Sequence, residues 1–147
     1  MSGIVCAVRG GPASRPTIAR AISLAQETGL PLRFLYIVNL DFLTHTASSR
    51  IQTISEEMAE MGEFILLAAQ DVAQQAGVTA DGVVRHGSVK EELVGFCQEV
   101  EADYLVLGRP QTEQEQNVFT LVMMAQFMQE IEGLTGAEVL LPAGDMQ

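Results

Sequence analysis

Basic residues are what this sequence has least of. Lys and Arg together number 8, seven of them Arg, against 19 Asp and Glu, for a formal net charge of −11 over 147 residues. A chain so acidic is repelled by phosphate backbones and anionic bilayers, so neither a nucleic-acid nor a membrane partner is expected. Long apolar runs are missing as well: nothing approaches the roughly 18 uninterrupted apolar residues of a membrane span. The opening Met1-Ser2-Gly3-Ile4-Val5-Cys6 enters an apolar run with no basic stretch before it, which does not support a secretory signal. Cysteine is scarce. Cys6 and Cys97 have no second Cys or His at metal-ligand spacing, so they read as two reduced, buried thiols in a cytoplasmic protein, with no metal centre or resident cofactor. No repeat, low-complexity tract or linker divides the chain. With 48% hydrophobic and 18% charged residues it suits one domain over 1–147 with a core of its own.

What is present is an alternation of short apolar runs with helical periodicity. Ala102-Asp103-Tyr104-Leu105-Val106-Leu107-Gly108-Arg109-Pro110 is the most informative stretch: a β-rich run cut short at Gly-Arg-Pro, the mark of a buried strand leaving its sheet. Ile4 to Val8 and Leu32 to Val38 are similar runs, suited to strands covered on both faces. Val78 to Arg85 is a weaker third strand, with Asp81-Gly82 marking a bulge or an edge position, and Ala137 to Leu141 a last one. Between them, Ser14 reads as an N-cap with Pro16 in the first turn, and Ile18, Ala21, Ile22 and Ala25 give one helix face, closed at Gly29. Asn39 to Ser49 reads as a loop. A long helix follows, with a core stripe of Ile51, Ile54, Met58, Met61, Ile65, Ala68, Val72 and Ala76. Ser88-Val89-Lys90-Glu91 matches a capping box opening a third helix that buries Val89, Leu93, Phe96, Cys97 and Val100. A polar loop, Gln111 to Gln116, leads into a fourth helix, from about Asn117 to Gly133, that is apolar around most of its girth. Strands alternating with helices predict parallel pairing through right-handed crossovers: a five-stranded, doubly wound α/β sandwich with helices on both faces.

The order and spacing of several segments resemble the universal stress protein family across nearly the whole chain. They are the first strand and its Ser-capped helix, the second strand ending Leu35-Tyr36-Ile37-Val38, Val84-Arg85-His86-Gly87, Glu101 through Gly108, and Ala137-Glu138-Val139-Leu140-Leu141. The resemblance implies an adenine nucleotide alpha hydrolase-like fold, a dimer formed in many cases through the last strand, and a regulatory or stress-protective role without catalysis. The family's ATP-binding branch carries an Asp at the end of the first strand, then Gly-x-x-Gly after the fourth, followed further on by Gly-Ser or Gly-Thr. Here the Asp position is Arg9, Gly108 matches the first glycine, Gln111 stands at the second, and Leu121-Val122 replace the later pair. Side chains at these places would fill space that phosphates need, so the resemblance points to the branch that does not bind ATP in the usual way, or to a different ligand.

Arg9, Arg85 and Arg109 each fall near the carboxyl end of a strand, the edge where ligands of doubly wound sheets bind. Two readings are open. They converge with Gly10, Gly108 and the Val38 backbone on a small anionic ligand such as a nucleotide, or they pair with surface carboxylates. His45 and His86 lack convergent partners and read as solvated, while Asp41, Asp71, Asp81 and Asp103 are scattered, so no nucleophile–base pair or paired-carboxylate spacing supports an enzyme. On the last helix and strand, Val122, Met124, Ala137, Val139 and Leu141 are candidates for a homodimer interface, or for contact with a protein partner, with deep burial in one subunit as the alternative.

Overall fold

Both faces of β1 (Ile4–Ala7) are apolar, and the fold follows from covering them. The computed structural model describes residues 3–10, 14–40, 48–108 and 118–142. After β1 come α1 (Arg15–Thr28), β2 (Leu32–Val38), α2 (Ser48–Gln75), β3 (Ala80–His86), α3 (Val89–Val100), β4 (Tyr104–Val106), α4 (Val118–Thr135) and β5 (Glu138–Leu140). The strands form one sheet in the order β3-β2-β1-β4-β5, and every neighbouring pair is parallel. Side chains alternate across it. Ile4, Cys6, Phe34, Tyr36 and Val38 pack with Ala21, Ile22 and Leu24 of α1 and Leu66, Ala69 and Ala73 of α2. Val5, Leu35 and Leu105 point the other way, onto Leu93, Phe96 and Cys97 of α3 and Ile131 of α4. The expected fold class, with helices on both faces of a five-stranded parallel sheet, is the one observed.

Local departures have local causes. β3 begins two residues later than its apolar run because Val78 still closes α2, its N–H donating to Ala73 O at 2.8 Å. Its register with β2 runs unbroken from Leu32↔Ala80 to Val38↔His86, so Asp81-Gly82 marks the sheet edge and not a bulge. Neither helix-opening serine caps through its side chain. Ser88 holds the N-cap position of α3 in extended backbone, but its hydroxyl makes no capping bond, so the Ser-x-x-Glu pattern does not close as a box.

The long helix α2 departs most. Gly62, Leu66, Ala69 and Ala73 are its buried residues, with Met58 and Ile65 partly covered, whereas Met61, Ala68, Val72 and Ala76 of the expected stripe face solvent. The reason is steric. The helix lies so close to β2 that a Cβ on Gly62 would stand 2.3 Å from Tyr36 Cδ2. At Gly62 only glycine fits against the Tyr36 ring, and with Leu66, Ala69 and Ala73 completing the seam, Met61, Ala68, Val72 and Ala76 are left facing outward. On α4, Ile131 is fully buried and Met124, Phe127 and Met128 pack against the second core, but Val122 and Met123 are about half exposed. Over its described side chains the helix is therefore covered on one side and is not buried deep within the subunit.

Gly62→Ala tests the close approach. Helix propensity alone favours alanine by about 1 kcal/mol, yet crowding in a packed core costs about 1–3 kcal/mol. A net loss of stability is expected in chemical denaturation; a gain would show that the seam has slack. The buried thiols give a second test. Burial pushes Cys97 from its ordinary 9.0 up to about 11, and shifts Cys6 upward as well. Between pH 9 and 11 the unfolded chain therefore releases a proton that the folded chain retains, and stability falls as pH rises through that window. Denaturation midpoints should drop more steeply over this range in the native sequence than in Cys97→Ala.

Candidate functional site

The strand order reverses between β1 and β4, since successive strands run outward from β1 through β2 and β3 while β4 and β5 lie on its other side. At such a point the loops leaving the two strands diverge and leave a crevice at the carboxyl edge. A cavity of about 560 Å³ occupies it. Its floor is Ala7, Val8 and Arg9 at the exit of β1, with Leu107 and Gly108 at the exit of β4. Leu35, Ile37 and Asn39 close it from β2, Met58 from α2, Val89 and Leu93 from the first turns of α3, and Met124 and Phe127 from α4.

The exit of β1 is held by one hydroxyl. Ser14 Oγ, nearly buried at the start of α1, accepts from the Gly10 N–H at 3.0 Å and the Arg9 N–H at 3.3 Å, and donates to Gly10 O at 3.2 Å. The turn needs glycine on two counts. Gly10 has φ +90°, and a Cβ there would meet Ile65 Cδ1 at 2.5 Å. So the residue expected to cap α1 instead folds back and fixes the loop beneath the cavity. Val8 N–H donates to Leu35 O at 2.9 Å, continuing the β1–β2 ladder to the cavity floor.

The site residues anticipated from the sequence separate into groups. Arg9 and Gly108 line the cavity, and Gly10 is fixed next to Arg9 by Ser14. The Val38 side chain lies in the first core, and its carbonyl accepts from the Gly87 N–H at 3.0 Å, so the β2 wall is made by Ile37 and Asn39 instead. Arg85 does not reach the cavity. Its Nε donates to Glu92 Oε1 at 2.8 Å and its Nη1 to Glu99 Oε1 at 3.0 Å, while the guanidinium lies 5.5 Å from the Phe96 ring centroid. Bonds to Glu99 and then Glu92 push its pKa upward. Of the two readings for this arginine, the structure gives pairing with carboxylates. Arg109, Gln111, His45 and Asp41 lie outside the described residues. His86 is exposed at the end of β3, and no group of three or more His, Cys, Asp or Glu is placed to hold a metal among the described residues.

Three of the dimer candidates also turn into the subunit. Ala137 and Val139 are buried in the second core, and Met124 turns toward the cavity. Its neighbour Met123, with Val122, faces out. Asn39 and Phe127 were not singled out in the sequence, and Met58, Val89 and Leu93 were expected in the core and not at the cavity. The first turn of α3 could have been placed there, because it follows the end of β3 by only Gly87 and Ser88 and so must start at the same sheet edge. What results is a mostly apolar chamber lined also by Arg9, Tyr36 and Asn39, suited to a flat or apolar body carrying one polar group.

Comparison with known proteins agrees with this architecture. The chain matches the universal stress protein family over residues 1–122. It is 27% identical over 106 residues to a universal stress protein of Methanocaldococcus jannaschii, a match covering 71% of this chain and 62% of that relative's length. Among solved structures, the universal stress protein UspA from Lactobacillus plantarum superposes with a TM-score of 0.77 at 18% identity, covering 96% of this chain and 97% of the other. A universal stress protein in complex with cAMP superposes at 0.68 with 21% identity, covering 95% of each.

Proposed function

The chain belongs to the universal stress protein family, and we propose that it is a non-enzymatic regulatory or stress-protective protein of the cytoplasm. In this reading the cavity at the β1–β4 switch point holds a compact small molecule and does not grip ATP in the family's usual way. The observation carrying the proposal is the cavity itself, a preformed chamber of about 560 Å³ whose walls are mainly apolar side chains. The sequence supports the second half. Arg9 stands in place of the acidic residue, and Gln111 and Leu121-Val122 in place of the small residues that close on phosphates. That a relative of the same fold holds cAMP supports a ligand of nucleotide size.

Calorimetric titration with adenosine, AMP, cAMP and ATP tests this directly. ATP is expected to bind no more tightly than AMP, because Gln111 and Leu121-Val122 stand where the family's small residues close on the phosphates. Micromolar ATP affinity with a clear gain over AMP would sink the proposal. Arg9 on the cavity wall favours a specific variant of it, in which a single anionic group is met by Arg9 together with Arg109. Replacing both by alanine should then weaken AMP while leaving adenosine unchanged.

The protein is also proposed to be a homodimer, assembled through the outer face of α4 at Val122 and Met123 and the neighbouring end of the sheet near Leu141. The half-exposed pair on α4 and the position of β5 at the sheet edge support it. Ala137 and Val139 would contribute backbone alone, the Val139 N–H only after release from Glu132 Oε2, to which it donates at 2.9 Å. Light scattering should report twice the chain mass for the native sequence and a monomer for Val122→Glu combined with Met123→Glu. A monomeric native protein removes this part.

A further inference from the structure

The helix α2 carries two apolar stripes, and the fold uses one. Gly62, Leu66, Ala69 and Ala73 seat it on the sheet. On the opposite side Met61, Phe64, Leu67, Ala68 and Val72 line up along about 17 Å of helix. They stand in solvent, Phe64 at 75% exposure and Leu67 at 62%. A phenylalanine so exposed contributes little to folding. Three of the large members have an acidic neighbour one turn away: Glu57 before Met61, Glu60 before Phe64, Glu63 before Leu67 and Asp71 after it. From Ile51 to Gln75 the helix has five acidic residues and no Lys or Arg. None of Glu57, Glu60 and Glu63 forms a salt bridge among the described residues.

We propose that this outer face of α2 docks a basic amphipathic helix of another protein. Apolar residues of the partner at i, i+3, i+4 and i+7 would cover Phe64 and Leu67, and its Lys and Arg would meet Glu57, Glu60, Glu63 and Asp71. Charge selects this occupant over the alternatives. A second copy of the chain would set these carboxylates against their own equivalents, and a stripe three turns long falls short of the about 800 Å² per partner that stable assemblies bury. An anionic bilayer is repelled by the same carboxylates and by the net charge of −11. A single helix of opposite charge matches both the length and the flanks. The inference stands whether or not the cavity binds a nucleotide.

The test uses the full chain and a fluorescently labelled Leu/Lys peptide with leucines at helical spacing, read by anisotropy. A Leu/Glu peptide of the same pattern is the control. The Leu/Lys peptide should bind and the Leu/Glu peptide should not. Phe64→Asp and Leu67→Asp should each weaken binding roughly tenfold or more, as loss of a central contact does. Both substitutions add negative charge at exposed positions, so attraction by charge alone would hold or strengthen. Unchanged or tighter binding by these variants overturns the proposal. So does equal binding of the two peptides. A native mass that drops in Phe64→Asp, as measured by light scattering, would assign the face to a second copy and overturn it as well.

Discussion

Everything in this molecule answers to the requirement that β1 be dry on both sides. Ile4, Val5 and Cys6 are fully buried, and their successive side chains enter different cores. A strand in that position needs hydrogen-bonded neighbours on both edges and helices over both faces. β2 and β4 supply the first, α1 and α2 cover one face, and α3 and α4 the other. Right-handed crossovers allow this only if the chain winds outward one way, then returns past β1 to wind the other way. The crevice beside β1 is a by-product of that return. The chamber is therefore the place where the topology cannot close over itself, and its existence owes nothing to any one residue.

The character of the chamber does depend on individual residues. The Ser14 hydroxyl binds two consecutive amides and holds the β1 exit in one shape. Gly10 lets that exit pass close to Ile65. α3 and α4 then bring Leu93 and Phe127 over the opening, so the polar groups left are few. In a chain with 19 acidic residues, Arg9 at the cavity is a local reversal of sign, and such a reversal is what a small anion would find.

The strands were legible because a parallel strand buried on both faces writes an unbroken apolar run, and Gly-Arg-Pro after Leu107 could only end one. The exits of β1 and β4 were legible for the same reason, which is why Arg9 and Gly108 could be placed at the carboxyl edge of the sheet. Periodicity was less informative on α2, where two stripes share one helix and the seam combines Leu66 with the small Gly62, Ala69 and Ala73. Gly62 and Ala69 carry little signal on any apolar scale, yet they decide which way Phe64 faces. Arg85 could not be placed from the sequence. Its partners Glu92 and Glu99 lie one and three turns into a helix whose rotation about its own axis only the packing of Phe96 and Cys97 determines. Met123 and Met124 show the same limit: adjacent identical side chains on a helix point about 100° apart, and only the structure says which one faces inward.

The outer amide of β5 has a consequence of a different kind. Val139 N–H, on the side away from β4, donates at 2.9 Å to Glu132 Oε2, a carboxylate supplied by the end of α4. An unpaired strand edge is a template on which identical chains can add one after another without limit. With the carboxylate in place, an arriving strand must first displace a charged acceptor already seated on its target. Growth of ordered fibres from this edge therefore starts at a disadvantage that a single glutamate sets.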